Sequence, residues 1–185
     1  ILVKYLGGEQ VSEILTHMSP DEMVDLVKGL AKDEADLVLQ HLKNSAAEQV
    51  GKLMQYPSDT AGGLMSLDYL SARPGWTVAE TIAAIKRASP AMRSILYIYV
   101  TDEDHTFHGA ISLRTLLIAD PGKKLRELIK QHSPSSTLKP YQPAKEIINT
   151  MTKYNLYMAA VLDRNRKLIG VVAIDDVMNH LLPNA

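Results

Sequence analysis

Residues 56–65 read Tyr56-Pro-Ser-Asp-Thr-Ala-Gly-Gly-Leu-Met65, and this stretch separates two different kinds of sequence. Before it, apolar residues recur at helical spacing. After it, short β-branched and aromatic runs alternate with helical stretches. Pro57 interrupts regular structure, while Gly62 and Gly63 let the backbone turn. The stretch therefore predicts a junction between an all-helical segment and an α/β segment, although its composition alone also fits an ordinary linker.

The segment before the junction contains a repeat of 12 residues. The three units cover residues 19–30, 31–42 and 43–54. Each unit is as long as one short helix, which cannot bury its apolar stripe alone. We therefore expect the helices to stack into a small superhelix over residues 1–55. Ser19 is the predicted N-cap of the first unit, with Glu22 completing a capping box.

A longer repeat follows the junction, because residues 100–117 align with residues 161–178 at a constant offset of 61. Each copy has the pattern of a strand, a polar turn, a second strand and a helix, and another helix precedes it. Those preceding helices are predicted over residues 77–88 and 143–153, the first with Thr77 as its N-cap and Glu80 as the capping-box partner. The first strands, over residues 94–101 and 157–162, are almost entirely apolar, as strands of a covered sheet require. The chain is therefore predicted to be α+β, with domains at 1–55, 56–122 and 123–185.

The junction resembles the sequence YPEDTAGGLM of the MgtE family of magnesium channels, from which it differs only at Ser58. In that family, the motif joins a helical cytosolic domain to a tandem pair of CBS domains, each built as β-α-β-β-α. The resemblance implies an all-α superhelical N-terminal domain followed by a tandem CBS pair. It also implies a regulatory homodimer at the cytoplasmic face of the cell membrane, continuous with a C-terminal transmembrane pore domain that it gates.

The composition excludes several other classes of function. Among 185 residues there is no Cys, the formal net charge is -1, and no apolar run approaches the roughly 18 residues of a membrane span. Near-zero charge argues against nucleic acid as the main partner. The histidines are scattered and no catalytic motif is present, so we do not expect an enzyme. The chain begins at Ile1 and ends just after a helix-like run, which we interpret as part of a longer protein.

Two carboxylates in the first helical unit are candidate ligands for Mg2+. Asp21 and Asp25 are separated by four residues, so their side chains share one helix face. The resemblance implies that this pair binds Mg2+ together with the backbone carbonyl of Gly63. It further implies that Asp176 is the acidic residue at the start of the last CBS helix. A helix start also favours Asp through capping and the helix dipole, so a structural role without metal is the alternative.

The sequence departs from the family where an acidic run would open the second CBS helix. Pro143 and Lys145 stand at positions of family acids, and Asn155 replaces a frequent Asp. Each lost carboxylate weakens the attraction for a divalent ion. We therefore expect binding of Mg2+ in the millimolar range, or a structural dimer module that has kept the assembly without the ion switch.

An adenine nucleotide, ATP or AMP, is the alternative ligand of such a CBS pair. In CBS pairs that bind such nucleotides, a Ser or Thr and an Asp three residues later bind the ribose. Ser112 is present without the Asp, whereas Asp176 is present without the hydroxyl. Tyr97 and Arg114 match positions that relatives use against adenine and phosphate, but a strand aromatic and an exposed cation are also ordinary features. The half motifs predict weak nucleotide binding.

Overall fold

The computed structural model describes residues 8–42, 44–88, 95–129 and 137–182. Before the junction the helices are α1 (Gly8–Thr16), α2 (Pro20–Gly29), α3 (Lys32–Gln40) and α4 (Asn44–Leu53). The last three begin 12 residues apart, which confirms the repeat as a stack of short helices. Val38 and Val50 occupy equivalent positions in two units, and both are completely buried.

The N-terminus of α2 confirms half of the predicted capping box. The Glu22 carboxylate accepts the backbone N–H of Ser19 at 2.9 Å. The Ser19 hydroxyl makes no capping bond, and its buried oxygen has no hydrogen-bond partner in the described part of the chain. Pro20 occupies the first helical turn and has no backbone N–H, so this helix start has one donor fewer to satisfy.

After the junction, helices and strands follow in two similar sets. The first set is β1 (Leu70–Ala72), α6 (Val78–Ala88), β2 (Tyr97–Thr101), β3 (Phe107–Ser112) and α7 (Leu113–Ile118). The second set is α9 (Ala144–Tyr154), β4 (Met158–Leu162), β5 (Leu168–Ala173) and α10 (Ile174–Leu181). Two short helices lie outside these sets, α5 (Ala61–Leu64) in the junction and α8 (Leu125–Leu128) between the copies.

The offset of 61 holds in the backbone as well as in the sequence. Both antiparallel pairs, β2 with β3 and β4 with β5, shift register at equivalent residues near the turn. His105 and Arg166 occupy equivalent turn positions with left-handed φ values of 67° and 62°. The predicted strand start at residue 94 lies outside the described residues, and the observed strand begins at Tyr97.

The opening strands of the two copies differ in length. β1 runs parallel to β2 over three residues, whereas its counterpart is a single parallel bridge between Leu138 and Val161. The predicted helix at 77–88 begins at Val78, because Thr77 is its N-cap. Its hydroxyl accepts the Glu80 N–H at 3.2 Å, and the Glu80 carboxylate accepts the Thr77 N–H at 2.7 Å. This capping box is the predicted one.

The junction is hydrogen-bonded to the second copy. Ala61 N–H donates to the Gln142 carbonyl at 2.9 Å, and Gly62 N–H donates to the Pro140 carbonyl at 2.7 Å. Gly63 must be glycine, because a Cβ there would collide with the Pro57 carbonyl oxygen. These bonds hold the junction against the segment that leads into α9.

The hydrophobic core follows the same division. The helical segment, the junction and the second copy share one cluster of buried side chains, which includes Val24, Met65 and Ile147. The first copy has its own cluster around Ile98 and Leu116. The helical segment is thus packed against the second copy, which brings α2 towards α10.

Candidate metal and ligand sites

Acidic residues of α2 and α10 lie close enough to influence one another. Asp176, in the first turn of α10, is partly buried, and burial is the main reason why its pKa is raised to about 6. The carboxylates of Asp175, Asp21 and Asp25 raise this pKa further, while a hydrogen bond from the Ala173 backbone opposes the shift. Three of the predicted metal ligands, Asp21, Asp25 and Asp176, therefore lie within electrostatic reach of one another across the contact between α2 and α10.

The same cluster perturbs Asp25. Partial burial raises the pKa of the Asp25 carboxyl, and the charges of Asp21 and Glu22 add to the effect. Lys28 and His180 act in the opposite direction. The cluster thus contains an excess of negative charge that two neighbouring basic side chains compensate only in part.

Asp21 has an unsatisfied oxygen at this interface. Its Oδ1 atom is buried and has no hydrogen-bond partner among the residues that the structure describes. A buried carboxylate oxygen without a partner is unfavourable, and a cation or a cation-bound water would satisfy it. The donor set consists of hard carboxylate oxygens, which suits Mg2+.

The carboxylates do not form a closed ligand cage. Within the described ranges, no group of three or more His, Asp or Glu side chains is arranged to hold a metal ion by itself. Mg2+ commonly retains several waters and takes only one or two protein carboxylates. The arrangement therefore fits a hydrated ion between α2 and α10 better than a fully dehydrated one.

α2 also contacts the junction, through Lys28. Its ammonium lies 3.3 Å from the Tyr56 carbonyl oxygen and 3.1 Å from the Ser58 hydroxyl oxygen. Lys28 and His180 were not predicted from the sequence, although helical spacing places Lys28 beside Asp25 and His180 beside Asp176. The role of the Gly63 carbonyl as a ligand remains a prediction.

The departures from the family have local structural explanations. Asn155 is the C-cap of α9 and has a left-handed φ of 53°, a conformation that Asn tolerates better than most residues. Pro143 is the N-cap of the same helix, and Lys145 is exposed in its first turn. All three residues therefore lie at the ends of α9, and the helix forms regularly without the acids of the family.

Only some of the predicted nucleotide-binding residues lie close to one another. Tyr97 and Ser112 are paired across β2 and β3, and Tyr97 lines a cavity of about 30 Å³ between the two sheets. The Ser112 hydroxyl accepts the Thr115 N–H at 3.0 Å, so it caps α7. Arg114 is exposed on that helix. Asp176, by contrast, belongs to the acidic interface with α2.

The narrow cavity also contains the side chain of Tyr99. Its hydroxyl is buried without a partner in the described residues, and burial raises its pKa far above the ordinary value. A space of this volume accommodates a water molecule rather than a nucleobase. In this conformation, a nucleotide would have to separate the two sheets.

Family models match nearly the whole chain. Residues 1–59 match the MgtE intracellular N domain, and residues 61–122 and 126–183 match the CBS domain. The magnesium transporter MgtE of Thermus thermophilus is 32% identical over 98% of this chain. The chain spans less than half the length of this curated relative, 46%.

Two solved structures have the same architecture. The cytosolic domain of the Mg2+ channel MgtE in complex with ATP is 30% identical, with a TM-score of 0.90 over 96% of this chain and 72% of that one. The soluble part of a magnesium transporter is 23% identical, with a TM-score of 0.91 over 99% and 71%, and supports the fold. Among the described residues of the present chain, no helix has the length and apolar character needed to span a bilayer.

Proposed function

Because the chain belongs to the MgtE family and comprises its intracellular N domain and two CBS domains, we propose that it senses intracellular Mg2+ for a magnesium transporter. The proposed sensor is the acidic interface between α2 and α10. It is supported by the cluster of Asp21, Asp25 and Asp176, whose negative charges repel one another across that interface.

The proposed mechanism is electrostatic. Without a divalent cation, the carboxylates of Asp21 and Asp25 repel those of Asp175 and Asp176, which loosens the helical segment about the junction. When Mg2+ binds, it supplies the positive charge that these carboxylates lack. Binding stabilises the compact form by RT ln(1 + [Mg2+]/Kd), about 1.4 kcal/mol at ten times Kd.

In the whole protein, we propose that compaction at the cytoplasmic face closes a membrane pore. Two copies of the chain would form the regulatory unit. Exposed apolar side chains in α7 and at the C-cap of α10 support this pairing, since Leu117, Ile118 and Leu182 have exposed fractions of 63%, 78% and 51%. Light scattering should detect a dimer at high micromolar concentration, and a strict monomer with and without Mg2+ would contradict it.

Small-angle scattering tests the sensor. The radius of gyration should fall between zero and about 20 mM Mg2+, well above the expected millimolar Kd. Protease cleavage at the junction should slow in parallel. Replacing Asp21 and Asp25 together by Ala should abolish most of both responses.

The matched control replaces two acids of α3, Asp33 and Asp36, by Ala, because it changes the net charge equally on a neighbouring helix. The control should retain the response to Mg2+. Scattering curves that do not change with Mg2+ in the unmodified chain would refute the sensor. An equal loss in both double variants would show that total charge, rather than this interface, is responsible.

Adenine-nucleotide binding is the second candidate. It is supported by the 30% identical relative solved with ATP and by Tyr97 at the cavity between the sheets. We expect weak binding, because Ser112 is engaged as a helix cap and each copy has half of the ribose motif. A missing hydrogen-bond partner typically costs about 1–3 kcal/mol. Calorimetry that gave a low-micromolar Kd for ATP or AMP would contradict this expectation.

A further inference from the structure

A cavity of about 820 Å³ opens between the junction and the second CBS copy. We call it the seam pocket, defined here by Tyr56, Lys139, Tyr141, Glu146, Asp163 and Arg164. It shares no residue with the acidic interface or with the cavity between the sheets. Its volume lies within the range of small-molecule sites, about 300–1,000 Å³.

Two tyrosine rings form the apolar part of the seam pocket. The ring centroids of Tyr56 and Tyr141 are 5.4 Å apart, and the rings are inclined by 58°. The Tyr56 ring is held in place because it rests directly on Gly62, where a Cβ would collide with it. Tyr141 is 64% exposed. The Tyr56 ring is therefore fixed and the Tyr141 ring is open to solvent, which suits stacking of a planar ring.

The charged groups of the pocket are not equivalent. In the described residues, the side chains of Lys139 and Arg164 have no hydrogen-bond or ion-pair partner, and both are exposed. The Asp163 carboxylate, in contrast, accepts the backbone N–H groups of Asn165 and Lys167, each at 2.8 Å. The basic side chains are thus available to a ligand, whereas this acid is already engaged.

Glu146 is the remaining acid of the pocket. It lies in the first turn of α9, where the backbone amides and the helix dipole favour negative charge. Its charge is therefore compensated in part by the helix itself. The balance at the pocket favours an anionic ligand over a cationic one.

From this combination we propose that the seam pocket binds a small molecule with a planar aromatic ring and an anionic group such as phosphate, sulfonate or carboxylate. The ring packs against Tyr141 and Tyr56, and the anion is bound by Arg164 and Lys139. Since Tyr56 belongs to the junction and the other residues to the second CBS copy, an occupant holds these two parts together. Neither the binding nor this consequence rests on the proposed Mg2+ sensor.

Calorimetry without Mg2+ tests the binding, with 2-naphthyl phosphate as the probe. Neutral 2-naphthol and the cation 2-naphthylmethylammonium have the same ring system and isolate the contribution of charge. We expect the phosphate to bind at least about tenfold more tightly than either, a difference of about 1.4 kcal/mol. Equal binding of the neutral compound, tighter binding of the cation, or no binding at millimolar concentration would overturn the proposal.

Substitutions locate the probe. Arg164→Gln should remove most of the preference for the phosphate, and Tyr141→Ala should weaken all three compounds about tenfold. Tyr157→Ala is the matched control, since Tyr157 is 62% exposed and lies outside the pocket. A similar loss in this control would overturn the proposal. So would loss of binding in Tyr97→Ala with retention in Tyr141→Ala, because the probe would then occupy the cleft between the sheets.

Discussion

The two CBS copies share a backbone but differ in the chemistry at the start of their last helices. In α7 the Ser112 hydroxyl accepts the Thr115 N–H, so this helix is capped by a neutral group. α10 follows Ala173, and Asp176 in its first turn interacts with that residue's backbone while facing the charge of Asp21. The start of α7 is therefore stabilised by its own cap, whereas the start of α10 interacts with the helical segment.

The copies also differ in what covers their sheets. Met65 of the junction packs on β5, where a Cβ at Gly170 would lie 2.6 Å from its sulfur. Ser66 and Val171 exchange two backbone hydrogen bonds beside this contact. The second copy is thus an anchoring surface for the junction, whereas the first has a cluster of its own and meets the second through a third cluster between the sheets. A duplicated sequence can keep its fold while only one copy becomes an interface.

The largest effect should come from breaking that anchor. Met65 is 2% exposed, so Met65→Ala should lower the free energy of unfolding by about 2–5 kcal/mol through lost contacts and a cavity. Urea denaturation followed by circular dichroism measures this change. Met178→Ala, at a site 44% exposed, is the control and should change stability by less than about 0.5 kcal/mol. Equal losses would mean that the junction does not anchor the second copy.

The next largest effect concerns the pH dependence of stability that arises from Asp176 at the start of α10. The folded-state pKa of Asp176 is about 6, above the ordinary 3.8, so folding favours its protonated form. Its contribution to stability is present below about pH 4 and is lost as the pH rises through 6. In metal-free protein, Asp176→Asn should therefore be more stable than the unmodified chain at pH 7, by about 1.5 kcal/mol after allowance for solvent screening.

Chemical denaturation of both proteins from pH 4 to pH 8 measures this difference, which should approach zero at the acidic end. The equivalent residue of the first copy, Thr115, supplies the comparison, since Thr115→Val should show no such pH dependence. A difference between Asp176→Asn and the unmodified chain that stayed constant with pH would contradict the raised pKa.

A reciprocal exchange of caps should have a smaller effect. Ser112→Ala removes the hydroxyl that caps α7 and should destabilise the chain by about 1 kcal/mol. Ala173→Ser introduces a hydroxyl at the equivalent position of α10 and should be neutral or stabilising. Thermal melting compares the two. If both substitutions lowered the melting temperature by the same amount, the difference between the two helix starts would not lie in their caps.

The smallest effect is expected in the turns between paired strands. In the first copy, His108 Nε2 lies 2.8 Å from Asp102 Oδ2, whereas the second copy has Ile169 in place of the histidine. The pair is largely exposed, so His108→Gln should cost less than about 1 kcal/mol, and the cost should shrink at high salt. Urea denaturation at low and high ionic strength measures it. A loss above 2 kcal/mol would show that this turn supports more of the structure than its exposure indicates.

Local features of the chain were predictable because they depend on residues close in sequence. Helical periodicity and the 12-residue repeat predicted α2 to α4, and the offset of 61 predicted the paired strands of both copies. The Thr77 cap followed from its spacing to Glu80. The junction was identified from Pro57 and its glycines together with its resemblance to a family.

Tertiary structure decided which of the candidate residues meet. Asp21 and Asp176 are distant in sequence, and the raised pKa of Asp176 arises only because the helical segment packs on the second copy. Ser112, a candidate ribose ligand in the sequence, is a helix cap in the fold. Lys28 and the seam pocket were not identified at all. Periodicity specifies which face of a helix is apolar, but the surface that covers that face is selected by packing across the whole chain, and burial and charge at an interface follow from that packing.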